Sequence, residues 1–244
     1  MTTKPRVAII IPCLNAASTI DACLDSVLKQ SYEHTFIHVQ DGGSTDGTLD
    51  KLAQRANPRL RVAVAKDTSV YDAINTAIAN TDADWYYILG ADDKIPGLDS
   101  VASVMTFGHS KYTLLFGDVR YAKRTNQLVP HVHHSTFDNG LWWRNTLHQQ
   151  GVFYHRSLFE GQAFDLRYKI LSDYDFHLSL LKKMPLSKHV GMTLCVCGAA
   201  GLSKQFEWKL YKEELKIKRH RLSAPLFIAN IPWVCMKWLL KKFG

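Results

Sequence analysis

The chain has 244 residues, room for one large α/β domain with a small appendage but not for two full domains with separate chemistries. Its 46% hydrophobic and 21% charged residues exclude wholesale disorder. The net charge of +8 is not the footprint of a nucleic-acid surface: residues 204–244 hold ten Lys/Arg against three acids, and the other 203 residues carry a balance of only +1.

In chain order, Val7-Ala-Ile-Ile-Ile11 is a β-branched run closed by Pro12, which predicts a central strand buried on both faces. Ile20, Cys23, Leu24, Val27 and Leu28 then recur at helical spacing, with Ser18 as the expected N-cap. Phe36–Val39 and Leu60–Ala65 read as strands on either side of a helix over Thr48–Ala56. A further helix covers Tyr71–Ala79, and Trp85–Leu89 reads as a fourth buried strand. This alternation predicts a doubly wound, mostly parallel α/β sheet with a Rossmann-like nucleotide-binding half. The second half is less regular, with strands expected near Tyr112–Phe116, Gly151–His155 and Thr193–Cys197 and a helix over Asp173–Lys183.

From residue 204 onward, Lys alternates with apolar residues around Trp208, Leu210, Tyr211, Leu215 and Ile217, and the chain then turns apolar over Ala224–Met236. Pro225, Asn230 and Pro232 interrupt that run, which falls short of the roughly 20 residues needed to span a bilayer. The expected division is an α/β domain over 1–203 and a basic amphipathic helical tail over 204–244, suited to an anionic membrane surface. A solvated helix followed by a dimer contact is the alternative for that tail. Cysteines 13, 23, 195, 197 and 235 make no CxxC pair and an odd count, so neither a disulfide framework nor a zinc knuckle is indicated. The first apolar run is too short for a signal segment, so the expected location is cytoplasmic, peripheral on the inner face of the cytoplasmic membrane.

Ligands of open α/β sheets bind beyond the carboxyl ends of the strands. Asp41 follows the second predicted strand, and Asp92 and Asp93 follow the fourth within Gly90-Ala-Asp-Asp93, so these carboxylates should converge on a nucleotide or cation pocket. His131-Val-His-His134 lacks a second ligand pair at suitable spacing and gives no zinc site. Trp142-Trp143 reads as packing.

One ordered set of motifs joins these pieces: Val7-Ala-Ile-Ile-Ile-Pro-Cys-Leu-Asn15, Ser26-Val-Leu-Lys-Gln-Ser-Tyr32, Val39-Gln-Asp-Gly-Gly-Ser-Thr-Asp-Gly-Thr48, Asp67-Thr-Ser-Val-Tyr-Asp-Ala-Ile-Asn75, Leu89-Gly-Ala-Asp-Asp93, His148-Gln149 and Ser172-Asp-Tyr-Asp-Phe176. In order and spacing it closely resembles the family 2 glycosyltransferases, over about residues 5 to 203. The resemblance implies a GT-A fold, a nucleotide-sugar donor, most simply a UDP-sugar, and a divalent metal, Mn2+ or Mg2+. It also implies inversion at the anomeric carbon and a saccharide acceptor, lipid-linked in a bacterial polysaccharide or O-antigen pathway. By the same resemblance Pro12, Asn15, Asp41, Asp67, Asp72 and Asp92 contact the donor, with Asp41 on the base's imide N–H. Asp93 holds the metal, His148 and Gln149 line the acceptor side, and Asp173 removes the acceptor's proton.

The sequence departs from the family pattern at two points. Ala91 replaces the first aspartate of the metal motif, which leaves ligation mainly to Asp93, with Asp92 on the ribose or bridging through water. Thr68-Ser69 replaces the usual Lys-Gly after Asp67. Structural duties remain open for the same residues: an Asx-turn for Asp41, turn capping for Asp92 and Asp93, helix-end polarity for Asp72 and Asn75, and a loop boundary for His148 and Gln149. Ser172-Asp-Tyr-Asp also fits a capping box in which Asp175 reaches back to an N-cap Ser172, leaving Asp173 in the first turn, where the helix dipole favours its ionised form. A sugar nucleotidyltransferase would want a Gly-rich basic loop where Pro12-Cys-Leu-Asn15 stands, and a nucleic-acid-binding module would spread its Lys/Arg across a folded face.

Overall fold

In the computed structural model, which describes residues 4–107, 109–122, 130–198 and 207–243, strand β1 (Val7–Cys13) pairs in parallel with β2 (Thr35–Asp41) on one side and β4 (Trp85–Ile88) on the other. β3 (Leu60–Val64) extends the parallel half from β2. Beyond β4 the sheet turns antiparallel through β7 (Val152–His155) and β5 (Leu114–Tyr121), and β5 carries β6 (Val132–His133) and a parallel β8 (Ser187–Cys197).

The alternation of side chains along β1 divides the core in two. Val7, Ile9 and Ile11 enter one cluster with Ile20, Cys23, Leu24 and Val27 of α1 (Ile20–Leu28), Leu52 of α2 (Thr48–Ala53), and Val101 and Val104 of α4 (Ser100–Thr106). Ala8 and Ile10 enter the other with Tyr71 and Ile74 of α3 (Val70–Ala79) and Tyr174, Phe176 and Leu178 of α5 (Ser172–Lys183). Helices therefore cover both faces, as the unbroken apolar run of β1 requires.

Four local expectations are corrected. α4 is additional, a two-turn helix with no side-chain cap. β8 begins at Ser187, six residues before the apolar segment that announced it. Thr19, not Ser18, occupies the N-cap of α1, with no side-chain cap bond. The capping box of α5 does not form: Leu171 is the N-cap, Ser172 Oγ donates to the Asp165 carbonyl at 3.0 Å, and Asp175 accepts two bonds from Arg221 at 2.7 and 2.6 Å. A bidentate guanidinium offers a carboxylate two charge-assisted bonds, which a capping hydroxyl or amide cannot match.

Residues 208–243 form α6 (Trp208–Arg221) and α7 (Ala224–Phe243). Ile217 of α6 is fully buried in the second core cluster. Beside it Glu214 accepts from Lys218 at 2.7 Å and from Lys237 at 2.5 Å, and Lys218 Nζ also donates to the Trp143 carbonyl and Asn230 Oδ1, both at 2.8 Å. Burial pushes the Lys218 ammonium down to about 8, against the pull of Glu214. No helix among the described residues is long and apolar enough to cross a membrane.

Arg221 and Asp175 join α6 to α5, and the Asp175 side chain is 3% exposed. Truncating one partner strands a buried charge, so Arg221→Ala should lower unfolding stability by about 3 kcal/mol in urea denaturation. An Asp175→Asn/Arg221→Met double variant should recover part of that loss.

Candidate active site

The parallel strands end side by side, and their last residues must satisfy backbone groups that no longer have ladder partners. Asp41, the final residue of β2, is fully buried; its Oδ1 accepts the Gly43 and Ser44 N–H at 2.8 and 2.7 Å and its Oδ2 the Ser44 hydroxyl at 2.7 Å. Gly43 takes φ +96° here, a turn conformation that glycine adopts without strain. Asn15 ties the loop after β1 to the same turn: its N–H reaches Ser44 Oγ at 2.8 Å and its Oδ1 accepts the Thr45 N–H at 2.9 Å.

Asp67 lies against Gly42, where a Cβ would stand 2.5 Å from Asp67 Oδ2. Burial, then the charges of Asp72 and Asp41, push its carboxyl above the usual range. Asp72 accepts the Thr68 N–H and hydroxyl, both at 2.9 Å, which hold its carboxyl below the usual range. Asn75 bonds the backbone of Phe164 in both directions. Asp41, Asn15 and Asp72 thus tie loops beyond the strand ends, and Asn75 ties the middle of α3 to the backbone of Phe164.

At the end of β4 the two adjacent aspartates part. Asp93 is buried, and its oxygens accept the Gly90 and Gly198 N–H at 3.0 and 2.9 Å, pinning the end of β4 to the end of β8. Its carboxylate forms a cluster with the sulfurs of Cys195 and Cys197, ligand atoms all within 4.8 Å; burial pushes the Cys195 thiol far up. Asp92 is half-buried and faces a cavity of about 1000 Å3. A Cβ on Gly198 would lie 2.2 Å from Asp92 Oδ2, so only glycine leaves that carboxylate its place.

The cavity brings together five of the ten residues singled out from sequence: Pro12, Asp92, His148, Gln149 and Asp173. Asn15, Asp41, Asp67, Asp72 and Asp93 stand outside its lining. Gln149 is 8% exposed, and its Nε2 has no hydrogen-bond partner among the described residues, a buried donor that a bound hydroxyl would satisfy.

Asp173 sits in the first turn of α5 and lines the cavity. Tyr71 Oη donates to its Oδ1 at 2.9 Å and Asn145 Nδ2 to its Oδ2 at 3.2 Å. Burial nonetheless pushes its carboxyl above the usual range, with the Tyr71, Tyr174 N–H and Asn145 bonds opposing. The expected effect of the helix dipole is thus outweighed by desolvation, and the group is a stronger base than an exposed aspartate.

Several lining residues carried no signal in the sequence. Tyr71 sits inside a quoted motif, but its bond to Asp173 spans 102 positions. Asn145 lies in an irregular stretch, and Trp233, Lys237 and Lys241 of α7 extend the cavity wall from a region that composition sets apart. None of the five cysteines forms a disulfide.

The pattern of glycosyl transferase family 2 matches residues 8–190. A PGL/p-HBAD biosynthesis glycosyltransferase of Mycobacterium tuberculosis is 38% identical over 181 residues, covering 71% of this chain and 69% of the relative. Among solved structures, the mannosyltransferase PcManGT from Pyrobaculum calidifontis, in complex with GDP-Man and Mn2+, matches with a TM-score of 0.66 at 21% identity, over 98% of this chain and 74% of that one. S. aureus TarS 1-349 in complex with UDP-GlcNAc matches with a TM-score of 0.70 at 16% identity, over 87% of this chain and 65% of that one, so this chain spans just under two thirds of it. Both structural likenesses speak to fold, and the sequence matches speak to ancestry: the chain is a glycosyltransferase and belongs to glycosyl transferase family 2.

Proposed function

We propose that the protein transfers a sugar from a UDP-sugar to a hydroxyl of a lipid-linked saccharide in a single inverting displacement. The observation that carries this reading is that Asp92, beyond the carboxyl end of β4, and Asp173, at the start of α5, line one cavity. The nucleoside lies over the loops after β1 to β3, near Asn15, Asp41, Asp67 and Asp72, with Pro12 at the cavity edge. His148 and Gln149 orient the acceptor. Asp173 takes the proton of the acceptor hydroxyl, the hydroxyl oxygen bonds to the anomeric carbon, and the bond from that carbon to the diphosphate breaks on the opposite face. An α-linked donor then gives a β-glycoside.

A divalent cation fits the carboxylates at the end of β4. Asp92 is a hard oxygen ligand facing the cavity, and Asp93 stands behind it; the neighbouring thiols are soft donors that suit Mn2+ or Mg2+ poorly. When bound, such an ion neutralises charge developing on the departing diphosphate.

The outer surfaces of α6 and α7 support a membrane-facing role. Lys209, Lys212, Lys216 and Arg219 form one exposed cationic stripe on α6. On α7 the exposed residues include Ile228, Ile231, Met236 and Leu239, with Leu240 at the cavity rim, while Asn230 and Val234 are buried. A basic stripe beside an apolar one suits an anionic bilayer, and an enzyme held there would meet an acceptor carried on a lipid.

Three outcomes are expected. In thermal-shift measurements with UDP-, GDP- and dTDP-sugars, a UDP-sugar with Mn2+ should raise the melting temperature, and Asp92→Ala should abolish the shift; a shift indifferent to metal and to this substitution would refute the assignment. Tyr71→Phe removes a bond that favours the ionised carboxyl of Asp173, so the acid limb of the kcat/KM profile should move to higher pH. Reversing the charge of Lys209, Lys212, Lys216 and Arg219 together should weaken co-sedimentation with vesicles containing anionic lipid more than tenfold, at about 1 kcal/mol per basic residue. Equal binding to neutral vesicles would count against the membrane reading.

A further inference from the structure

The helix that bears Asp173 has no side-chain cap of its own. The N–H groups just before its first turn are met instead by a carboxylate from another helix. Glu213 of α6, 9% exposed, accepts the Ile170 and Leu171 N–H through Oε1, both at 2.7 Å, and the Lys169 N–H through Oε2 at 3.0 Å. On the other side of the segment, Tyr71 Oη lies 2.9 Å from both the Ile170 carbonyl and Asp173 Oδ1, which share its one proton. Arg221, two turns further along α6, holds Asp175 in the same first turn of α5. Lys169, Ile170, Leu171, Asp173 and Tyr174 all line the cavity.

We propose that Glu213 is a positioning residue for the reaction: by binding three consecutive N–H groups it fixes where α5 begins, and so where the Asp173 carboxylate stands relative to the acceptor hydroxyl. The proposal rests on the reading of Asp173 as the base. Its physical basis is the sensitivity of proton transfer to distance, since a misplacement of about 1 Å can cost about 10²-fold in rate. A carboxylate accepting three N–H bonds at a helix N-terminus is held by charge-assisted bonds and by the helix dipole together. Three bonds to successive residues leave the segment little room to slide. The neutral Gln side chain keeps the shape, but its amide nitrogen cannot accept the bond that one carboxylate oxygen accepts. Glu213 touches neither the acceptor nor the donor in this arrangement; it acts through the backbone. The same bonds make α6 part of the working enzyme, although its composition marks it as tail.

The test compares the full chain with Glu213→Gln, Glu213→Asp and Asp173→Asn. It uses release of nucleoside diphosphate from the donor found by thermal shift, together with amide hydrogen exchange at residues 169–173. The expected result for Glu213→Gln is a melting temperature within a few degrees of the parent, exchange at Lys169, whose N–H loses its acceptor, faster by about tenfold or more, kcat lower by about tenfold to 10²-fold, and donor KM changed less than about twofold. Glu213→Asp should recover part of kcat. If kcat is unchanged while the Lys169 amide exchanges faster, or kcat and donor KM deteriorate together, the proposal is overturned. Failure of both Glu213 variants to fold also overturns it, because the residue would then be a requirement of the fold. The Asp173→Asn arm separates the two layers: retained kcat there removes the base assignment, whereas loss there with parental kcat in Glu213→Gln removes only the role of Glu213.

Discussion

A strand without a polar side of its own must sit between two others, and β1 does so: β2 pairs with it along its whole length and β4 from Val7 to Ile10. Its parallel pairing with β2 and β4 sends three carboxyl ends to one edge of the sheet. There the hydrogen-bonded ladder stops and the backbone still needs partners. Asp41, Asn15 and Asp93 provide them, each at or just beyond the end of a strand. The acids that mark the family in sequence are therefore also those that close the loops at the sheet edge. In Asp41 the two duties can coexist only through Oδ2, which accepts the Ser44 hydroxyl alone, because Oδ1 already accepts two N–H groups.

The parts of the molecule legible in sequence are those governed by short-range pattern. The β-branched run of β1, the spacing of Ile20, Cys23, Leu24 and Val27, and the order of the motifs required no knowledge of distant residues. At the site, the failures are long-range. Ser172 and Asp175 satisfy a local capping rule, but Arg221, 46 positions away, supplies a stronger partner. Asn145 meets Asp173 across 28 positions, with nothing in its own neighbourhood to announce it.

α6 illustrates a different blindness. Its buried residues are Tyr211, Glu213, Glu214, Ile217 and Lys218, a helical stripe in which three of five members are charged. A search for apolar periodicity cannot see such a face, because what makes it buriable is the partner each charge finds: backbone N–H groups for Glu213, and Lys218 with Lys237 for Glu214. Charge counting assigns the same residues to a solvated tail. Buried charges survive when they are paired and hydrogen-bonded, and that condition depends on tertiary structure.

The same reasoning separates the two aspartates in the first turn of α5. Asp175 is 2% exposed and lies outside the cavity lining, and a guanidinium grips both of its oxygens. Asp173, two residues earlier, is held only by neutral donors, the Tyr71 hydroxyl, the Asn145 amide and backbone N–H, while its surroundings push its carboxyl pKa up. Neutral donors fix orientation without supplying the opposite charge that would lower basicity as far as a cation does. An acid oriented, partly desolvated and open to the cavity is the member of the pair suited to take a proton. Its neighbour's ion pair with Arg221 secures the helix on which it stands.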